Sequence, residues 1–461
     1  MAVVTGGKAL AQLLHVLGSE FARAGRRAYL VGGSVRDELI GRPHKDVDLT
    51  TDATPDETRR ILAATRPDGL YDVGARFGTI GAVYQLGDER LDVEVTTFRS
   101  EAYEPGSRKP AVAFGRSLEE DLARRDFTIN AIARDLLTGE LVDPFGGRED
   151  LELRRVRAVG RAEERFGEDP LRLLRAVRLA VALGFEIEPA TAGAIVAQAE
   201  ALGSISRERV AEELNWIVAS PNPSRGLRLL ADLGLLRYSV PELLPLRETA
   251  AGRRSKDVFE HTLRVVENTS PDLVLRWAAL LHDVGKPRTV VVEDGEVGFP
   301  GHERVGESMA RQILTGLRQD GETTERVARL VGMHMRANQY EPEWTDGAVR
   351  RLMREAGDDL ERLLDLSAAD VTSYRAQRVA AARARVDALR QRCAQIAAQE
   401  DIARLKSPLD GNELMAMFGR PPGRWIGTIK ERLLDMVLDG ELAADDRERA
   451  SELARQWIDE G

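Results

Sequence analysis

Short strand-like runs of apolar residues, some of them alternating with polar ones, occur along the first 150 positions of this chain, and helical spacing replaces them afterwards. These runs predict β-strands, since short apolar or alternating runs bounded by turn residues are typical of strands. They are RAYLVGG, DVDLT, GTIGAVYQL, LDVEVTTF and AVAFG, interleaved with helical segments near residues 8–23, 35–40, 56–65 and 118–124. The turn sequence DPFGG at 143–147 ends this part of the chain. The pattern predicts an α/β head built on a mixed sheet.

Helical periodicity dominates from residue 151 onward, so the rest of the chain is predicted to be mostly α. One exception is RTVVVEDGEVGF at 288–299, which predicts a small β-hairpin around Asp294-Gly295. Differences in content divide the chain into four predicted domains. They are a head at 1–150, a helical neck and body at 151–250, a histidine-rich domain at 251–375 and an arginine-studded helical tail at 376–461.

The composition describes a chain of 461 residues with 43% hydrophobic residues, enough for several buried cores. Cys393 is the single cysteine, which excludes an intramolecular disulfide framework and indicates a reducing compartment. Without a membrane-length apolar stretch or a signal-peptide pattern, we expect a soluble cytoplasmic protein. The net charge of −10 does not exclude nucleic acid, because basic patches occur at 148–178 and 375–392. The composition leaves the oligomeric state unknown.

Residues 30–50, LVGGSVRDELIGRPHKDVDLT, contain the most informative chemistry in the chain. An apolar run ends in a GGS turn around Gly33, where backbone N–H groups can approach a phosphate at the start of a helix. Arg36 follows one turn later, placed to meet a triphosphate. Asp46 and Asp48 occupy positions i and i+2 of a strand, so their carboxylates share one face and suit Mg²⁺. The combination predicts a nucleotidyl-transfer site.

This segment resembles the GG[ST]-x9–13-Dx[DE] signature of DNA-polymerase-beta-type nucleotidyltransferases. Its fuller form, LVGGSVRD followed by KDVDLTTDATP, resembles the bacterial class II CCA-adding enzyme and poly(A) polymerase family. The resemblance implies a polymerase-beta-like head in which Asp46 and Asp48 are catalytic ligands of Mg²⁺ and Gly33 and Arg36 contact the nucleotide. Poly(A) polymerases of this group typically show a GRRFR-type sequence, whereas this chain has GARFG at 74–78, closer to the CCA-adding pattern.

Two further blocks of the head carry candidate residues. LDVEVTTFR places Asp92 and Glu94 on one strand face, where one of them is a third metal-binding carboxylate or both are salt-bridge partners of arginine. RRDFTINAIA at 124–133 resembles a block of the same family that contributes to nucleotide and ribose contacts, and Arg125 supplies a positive charge for phosphate there. Asp126 serves either this site or the N-cap of a helix that starts at TINAIA.

GEDPLRLLRAVRLA at 167–180 predicts a helix with Asp169 as its N-cap and a proline in its first turn. Arg172, Arg175 and Arg178 recur every three residues along one stripe, which taken alone favours a solvated face. Asp169 and Arg172 can also offer an acceptor and a fork of donors to a base edge. The block resembles the class II EDxxR motif, which implies that Asp169 and Arg172 read the base of CTP or ATP while Arg175 and Arg178 help to hold the nucleotide.

A later helix, ERVAEELNWIV at 208–218, has Arg209 and Glu213 four residues apart, the spacing of an ion pair on one helix face. Its expected role is structural, as part of a helix pair that buttresses the nucleotide pocket.

Four of the six histidines lie between residues 251 and 375. The helix-like segments VFEHTLRVV, ALLHDVGKP and SAADVTS resemble the H…HD…D pattern of HD-superfamily phosphohydrolases. The residues that match this pattern are His261, His282, Asp283 and Asp370. The resemblance implies a metal site of mixed imidazole and carboxylate ligands, suited to a transition metal such as Ni, Co or Mn. His302 in GHE and His334 in GMHMR can bind a second ion or a substrate phosphate.

Taken together, the resemblances imply a tRNA nucleotidyltransferase that adds C, C and A to the tRNA 3′ end from CTP and ATP. In the implied two-metal reaction, one Mg²⁺ lowers the pKa of the terminal 3′-hydroxyl and the other neutralises the triphosphate as pyrophosphate leaves. The tail is expected to bind tRNA, and the HD domain to add phosphatase or phosphodiesterase activity. The alternatives are a poly(A) polymerase, a protein that is primarily an HD phosphohydrolase, and a non-catalytic RNA-binding protein. Whether all of CCA or only C or A is added stays open.

Overall fold

The computed structural model follows the predicted change from alternating to helical periodicity. It describes residues 3–43, 47–72, 78–87, 89–102, 111–114, 117–251, 256–294, 296–371, 376–399 and 405–459. The strands are β1 (Ala28–Val31), β2 (Val47–Thr51), β3 (Gly69–Asp72), β4 (Thr79–Leu86), β5 (Glu89–Thr97), β6 (Arg99–Ala102), β7 (Ala111–Phe114), β8 (Ala133–Asp135), β9 (Leu141–Val142), β10 (Arg155–Val156), β11 (Glu186–Ile187), β12 (Ala250–Ala251), β13 (Lys256–Asp257), β14 (Val291–Glu293) and β15 (Glu296–Gly298). The helices are α1 (Val3–Arg23), α2 (Gly33–Leu39), α3 (Pro55–Ala64), α4 (Leu118–Ala123), α5 (Gly147–Glu152), α6 (Ala162–Glu168), α7 (Arg172–Leu183), α8 (Pro189–Gln198), α9 (Arg207–Val218), α10 (Pro223–Asp232), α11 (Leu236–Ser239), α12 (Pro245–Glu248), α13 (Val258–Glu267), α14 (Leu273–Leu281), α15 (His302–Gly316), α16 (Gly321–Asn338), α17 (Asp346–Ala356), α18 (Leu360–Asp370), α19 (Ala376–Gln399), α20 (Gly411–Phe418), α21 (Arg424–Asp439) and α22 (Arg447–Asp459). The predicted α/β head followed by a mostly helical body is confirmed.

The chain divides into two compact units. The first comprises Met1–Glu213 and Leu229–Ser239, and the second comprises Leu214–Arg228 and Val240–Gly461. The first unit contains the sheet, and the second contains the histidine-rich helices and the tail. The four-domain division is finer than these units and remains a prediction.

One seven-stranded sheet organises the first unit, with the strand order β3-β4-β5-β2-β1-β8-β9. The β2–β5 pair is parallel and its other neighbouring pairs are antiparallel, so the sheet is mixed. Leu30, Val93 and Val95 are fully or almost fully buried in it. In β2, Asp48 is exposed while the other four residues are buried. Asp48 is therefore the one solvent-exposed residue of this otherwise buried central strand.

Two local predictions in the first unit are wrong. TINAIA does not start an α-helix, because a single 3₁₀ turn at Thr128–Asn130 leads into β8, which pairs with β1. The pairing at the sheet outweighs the local helical signal. The helix predicted to begin at Asp169 begins instead at Arg172, after a turn closed by the bond from Arg172 N–H to Asp169 O.

The second unit is built around α14, whose residues Val274 to Leu281 are all buried, with Trp277 fully buried among them. The predicted hairpin is present, since β14 pairs with β15 in antiparallel register. Helices α20, α21 and α22 pack on a separate apolar cluster that includes Leu414 and Leu433. Among the described residues, no helix combines the length and the apolar character needed to cross a membrane.

Candidate nucleotidyltransferase site and metal centre

The GGS turn lies directly against the strand that carries Asp48. Gly32 has a φ of +73°, a conformation that glycine adopts without strain, and a Cβ there would stand 3.0 Å from Arg125 Nη1 and 3.9 Å from Asp48 Oδ2. The backbone N–H of Asp48 donates to Ser34 Oγ at 3.5 Å. The turn, Arg125 and Asp48 therefore meet at one place in the head. Asp46, the other predicted Mg²⁺ ligand, lies outside the described residues, as does most of the GARFG segment.

The register of β2 and β5 distinguishes the two candidates for a third carboxylate. Glu94 is the parallel partner of Asp48, and partner positions of neighbouring strands place their side chains on the same face of the sheet. Asp92 instead forms an ion pair with Arg90 at 3.1 Å, and both side chains are largely exposed. Glu94 is thus the residue aligned with Asp48, and Asp92 has a surface ion-pair partner, while a metal-binding role for either carboxylate remains a prediction. The carboxylate oxygens of Asp48 and Glu94 form the donor set that Mg²⁺ prefers.

A continuous line of hydrogen bonds connects the GGS turn with α7. Arg36 Nη1 donates to Asn130 Oδ1 at 2.7 Å, and Asn130 Nδ2 donates to Asp126 Oδ1 at 3.1 Å. Asp126 Oδ2 accepts from Nε and Nη2 of Arg175 at 2.8 and 2.6 Å. Arg36 also donates to both carboxylate oxygens of Asp37, at 2.8 and 3.0 Å. Arg36 and Arg175, 139 positions apart in the sequence, thus belong to one polar network.

Asp126 is the centre of this network rather than the N-cap of a helix. The 3₁₀ turn that follows it is preceded by Phe127, without a side-chain cap. Burial alone would raise the pKa of Asp126, but the charge of Arg175 and the hydrogen bonds from Asn130 and from the Phe127 N–H outweigh burial. The pKa of the carboxyl therefore stays below its ordinary value, and the group remains ionised at neutral pH.

The arginines of α7 are held by acidic partners. Arg172 donates to Glu168 Oε2 at 2.8 Å and to the backbone carbonyls of Arg165 and Arg124 at 2.9 and 2.8 Å. Arg178 pairs with Glu213 of α9 at 3.1 Å. Because the middle arginine of the stripe is bound by a carboxylate in the same way, the interpretation of the stripe as a freely solvated face is wrong.

Asp169 and Arg209 pair with each other, which overturns the pairing predicted within α9. Asp169 Oδ1 accepts from the Leu171 N–H at 3.1 Å, and its Oδ2 accepts from Arg209 Nη2 at 2.9 Å. Glu213, the predicted partner of Arg209, faces α7 instead. Contacts between helices have replaced the local i,i+4 pair, and α9 supports α7 as expected through different residues.

Asp121, which was not among the residues predicted from the sequence, organises the arginines of the RRDF block. Its fully buried carboxylate accepts hydrogen bonds from Thr50 Oγ1 at 3.3 Å and from the Arg99 N–H at 3.3 Å. It also accepts from Arg124 Nε at 3.1 Å and from Arg125 Nη2 at 3.3 Å. The available signal was the spacing of three and four residues before the arginine pair. Asp121 therefore helps to hold Arg125 beside the GGS turn.

In the second unit, the predicted histidines and aspartates converge on one cluster. Its members are His261 on α13, His282 and Asp283 at the end of α14, His302 at the start of α15, His334 on α16 and Asp370 at the end of α18. The Nε2 atoms of His261 and His282 are 3.2 Å apart, and those of His302 and His334 are 3.3 Å apart. Asp370 Oδ1 lies 3.0 Å from His261 Nε2 and 3.5 Å from His282 Nε2.

Asp283 belongs to both halves of this cluster. Its Oδ2 lies 3.4 and 3.2 Å from Nε2 of His261 and His282, and its Oδ1 lies 3.5 Å from Nε2 of His302. The ligand atoms form two groups able to hold a metal ion, His261–His282–Asp283 and Asp283–His302–His334. A carboxylate shared by two groups can bridge two divalent ions.

Three of the histidines are oriented by the same backbone contact. The Nδ1 atoms of His282, His302 and His334 lie 2.8, 2.8 and 2.7 Å from the carbonyl oxygens three residues earlier. A carbonyl only accepts, so Nδ1 carries a proton in each ring, and Nε2 is the atom directed into the cluster, where it can bind a metal once it is deprotonated. This is the arrangement of a metal-ligating imidazole with its outer partner. The chemistry of the donor set therefore fits a divalent metal.

Electrostatics differ across the cluster. Burial would lower the pKa of His282, but Asp283 and Asp370 outweigh burial and raise the pKa to about 10. Burial, with the neighbouring His282, lowers the pKa of His334 to about 4. Lys286 Nζ adds a positive charge 2.6 Å from Asp283 Oδ2. Without a metal, protonated His282 and Lys286 therefore supply the positive charge that the buried carboxylates require.

Comparison with known proteins gives three matching family profiles. They are described as the Poly A polymerase head domain at residues 28–157, the probable RNA and SrmB-binding site of polymerase A at 184–246, and the HD domain at 258–375. The profile positions agree with the predicted head and with the histidine cluster.

Relatives match along nearly the whole chain. An A-adding tRNA nucleotidyltransferase of Deinococcus radiodurans is 36% identical over 94% of this chain and 96% of its own length. A CCA-adding enzyme of Geobacillus sp. (strain WCH70) is 32% identical over 94% of this chain and 93% of its own length. The crystal structure of the Bacillus stearothermophilus CCA-adding enzyme in complex with CTP has a TM-score of 0.71, with 29% identity over 98% of each chain.

These matches confirm the resemblance drawn from the LVGGSVRD, RRDFTINA and EDPLR blocks, and they do not favour a poly(A) polymerase. They also make a non-catalytic RNA-binding protein the wrong interpretation. The chain therefore belongs to the bacterial family of CCA-adding enzymes and related tRNA nucleotidyltransferases.

Proposed function

We propose that this chain works in the cytoplasm and adds C, C and A in turn to the 3′ end of tRNA, using CTP and ATP. The observation that carries the proposal is the alignment of Asp48 with Glu94 beside the GGS turn. The line of hydrogen bonds from that turn to α7 supports a continuous nucleotide site. The CCA-adding relatives support the choice of reaction.

Within this proposal, Asp46, Asp48 and Glu94 hold Mg²⁺ through carboxylate oxygens. When bound, Mg²⁺ supplies the charge that neutralises the triphosphate and lowers the pKa of the attacking 3′-hydroxyl. Gly33 lies beside the Arg36 guanidinium, since a Cβ at that position would stand 3.4 Å from Arg36 Nη2, so a phosphate bound at this turn would meet that positive charge. Arg125 lies at the same turn and provides a second positive charge.

The arginine helix α7 supplies the proposed base-reading end of the nucleotide site. Asp169 and Arg172 present an acceptor and a donor fork to the base of CTP or ATP. Arg172 is held by Glu168 and two carbonyls, so its guanidinium has a fixed orientation before nucleotide arrives. Arg175 and Arg178 hold the nucleotide from the same face of α7.

We further propose that four segments of the chain have different functions. Residues 1–150 carry out nucleotidyl transfer, and residues 151–250 contribute base recognition and RNA contact. Residues 251–375 form a metal-dependent phosphohydrolase, and residues 376–461 bind tRNA. The order follows the family profiles, which cover parts of the first three segments.

A second candidate is addition of the terminal A alone. The observation that favours it is the A-adding enzyme of Deinococcus radiodurans, whose match extends over 96% of its own length. Such an enzyme would use the same carboxylates and the same arginine helix. The two candidates differ in the primers that they extend.

One assay distinguishes these reactions. Purified protein is given tRNA that lacks CCA, or tRNA that ends in CC, with each labelled nucleotide supplied separately and the products resolved on a gel. CCA addition predicts that CTP extends the first tRNA by two residues and that ATP then completes it. A-addition predicts extension of the CC-ended tRNA alone, and repeated incorporation of ATP on either RNA would indicate a poly(A) polymerase.

The matched control for this assay removes the catalytic carboxylates. Asp46→Ala and Asp48→Ala should each abolish incorporation while the protein stays folded, because metal charge stabilisation supplies several kcal/mol, or orders of magnitude in rate. Near-wild-type incorporation by a folded double variant would overturn the assignment.

We also propose that the histidine cluster binds Ni, Co or Mn and hydrolyses phosphate esters. Mixed imidazole and carboxylate ligands favour these ions over Mg²⁺. When bound, such an ion supplies a nucleophilic water and polarises a phosphoryl oxygen. A cleft of about 590 Å³ borders His302 and is lined in part by Phe299, Arg304 and Arg336. Glu303, Glu307 and Glu355 line the same cleft, so its charge is mixed and the proposal rests on the metal-binding cluster rather than on the cleft.

A further inference from the structure

Asn338 is the last residue of α16 and contacts the carboxylate at the end of α18. Its Nδ2 donates to Asp370 Oδ2 at 2.9 Å. The other oxygen of the same carboxylate, Oδ1, is the one that lies 3.0 Å from His261 Nε2 and 3.5 Å from His282 Nε2. The two oxygens of Asp370 therefore have different partners, with the amide on one side and the imidazoles on the other.

The position of Asn338 on its helix brings it to this carboxylate. His334, a member of the metal-binding cluster, precedes it by four residues on α16, so the two side chains lie on the same face one turn apart. Ser367 Oγ, on α18, donates to the His334 carbonyl at 3.4 Å and joins the two helices at this level. One face of α16 thus supplies both a ligand and the contact to a ligand on the neighbouring helix.

We infer that Asn338 is a positioning residue for the metal centre, one that fixes which oxygen of Asp370 faces the metal. The inference rests on the proposed binding of a metal by the histidine cluster. A carboxylate is an acceptor only, so the amide nitrogen, not the amide oxygen, must face it. The contact therefore holds Oδ2 and leaves Oδ1 directed at the imidazoles.

Four of the other five members of the cluster have a described outer partner of this kind. Backbone carbonyls orient His282, His302 and His334, and Lys286 holds Asp283. Asp370 is partly buried and is the last residue of its helix. Outer partners of metal ligands typically contribute a factor of 10–100 to metal affinity. Loss of Asn338 should weaken metal binding without removing a ligand.

The test replaces Asn338 with leucine, which has nearly the same shape but cannot donate. Ni²⁺ is titrated calorimetrically into the full-length protein in excess Mg²⁺, which occupies the head. Asn338→Leu should bind Ni²⁺ about 10–100-fold more weakly than wild type. Asn268→Leu, at the exposed C-terminal end of the helix that carries His261, is the control and should bind like wild type.

A thermal measurement distinguishes positioning from a structural role. Because a ligand stabilises the folded state in proportion to the logarithm of its affinity, Asn338→Leu should reduce the rise in Tm on adding Ni²⁺. A merely structural role would lower the Tm of the metal-free protein and leave the Ni²⁺ affinity unchanged, and that result would overturn the inference. If wild type itself binds no Ni²⁺, the proposed metal centre fails, and the inference about Asn338 fails with it.

Discussion

Single residues in the head carry several contacts at once, and Asp126 is the clearest case. It joins Asn130 and Arg175 and accepts the N–H of Phe127, so one carboxylate ties the RRDF block to α7. Local sequence could only show that Asp126 stands before a turn. Its partner is 49 positions away, and a contact of that separation depends on how the helix packs on the sheet. The role of the residue therefore could not be predicted from its neighbours.

Asp126→Asn should lower the free energy of unfolding by about 2 kcal/mol at neutral pH, since it leaves a half-buried guanidinium without its counter-charge. The folded-state pKa of Asp126 is below its unfolded value, so its contribution is complete above the unfolded pKa, about 4. It disappears as the pH falls through the lower, folded-state pKa. Denaturant titrations at a series of pH values should show a smaller acid-induced loss of stability in the variant.

Asp72→Asn provides the control for that measurement. Asp72 pairs with Arg59 on the surface, where both side chains are largely exposed. Exposed pairs of this kind contribute about 0–1 kcal/mol. Equal losses of stability for the two variants would contradict the central role assigned to Asp126.

Arg172→Ala should reduce base discrimination more than phosphate affinity. A bidentate arginine contact to a base is worth roughly 1–3 kcal/mol of discrimination, or about 5–150-fold. The measurement compares misincorporation of GTP and UTP by the variant and the wild type. Arg161→Ala, a largely exposed arginine of the same unit, should change neither property. Unchanged selectivity with uniformly weaker nucleotide binding would instead make Arg172 a phosphate-binding residue.

At the scale of elements, the strands were easier to predict than their pairing. The run that became β5 alternates clearly, with every second residue from Leu91 to Thr97 buried, whereas β1 is a short apolar run that is buried along its whole length. The short strands β8 and β9 were missed, since two or three residues are too few for a period to emerge. The parallel pairing of β2 with β5 could not be predicted, because the residues near each strand do not determine its register with a strand that is distant in the sequence. That register, however, determines which of two acidic residues faces Asp48.

Glu94 and Asp92 offer a matched test of this register. Glu94→Gln should lower nucleotide addition by orders of magnitude, because it removes a negative oxygen next to Asp48 from the proposed metal site. Asp92→Asn should leave the rate within a few-fold, since its carboxylate belongs to a surface ion pair. Rates are measured with saturating tRNA over a series of Mg²⁺ concentrations. Equal effects of the two substitutions would mean that the carboxylate aligned with Asp48 has no special role.

At the scale of the whole molecule, the chain carries two groups of potential metal ligands with different donor atoms. The head offers carboxylate oxygens, and the HD cluster offers imidazoles with two aspartates. Both sets could be proposed from sequence, because the DxD and HD blocks are short motifs, and the histidines and aspartates of the second set do converge in the structure. The ion pairs that surround them could not be located, because Arg209–Asp169 and Arg178–Glu213 depend on helix packing.

The two activities should be separable. His282→Ala combined with Asp283→Ala should remove the bound transition metal and any metal-dependent phosphatase or phosphodiesterase activity, yet leave nucleotide addition largely unchanged. Ni, Co or Mn should support that hydrolysis better than Mg²⁺. Elemental analysis of the purified variant measures the metal, and a His15→Ala variant on α1 controls for loss of an exposed histidine. If the variant kept its bound metal and its hydrolytic activity, the HD cluster would not be the metal-binding site. If a folded variant lost nucleotide addition, the two sites would be coupled.

The place of β1 in the sheet has a consequence for synthesis of the chain. β1 lies between β2 and β8, and its residue Tyr29 pairs with Asp135. One edge of β1 therefore has no partner strand until roughly a hundred further residues have left the ribosome, about 5–20 s at ordinary elongation rates. An unpaired apolar strand edge is a template for association with other chains. The nascent head should thus depend on chaperones during this interval, and fragments that end before β8 should aggregate.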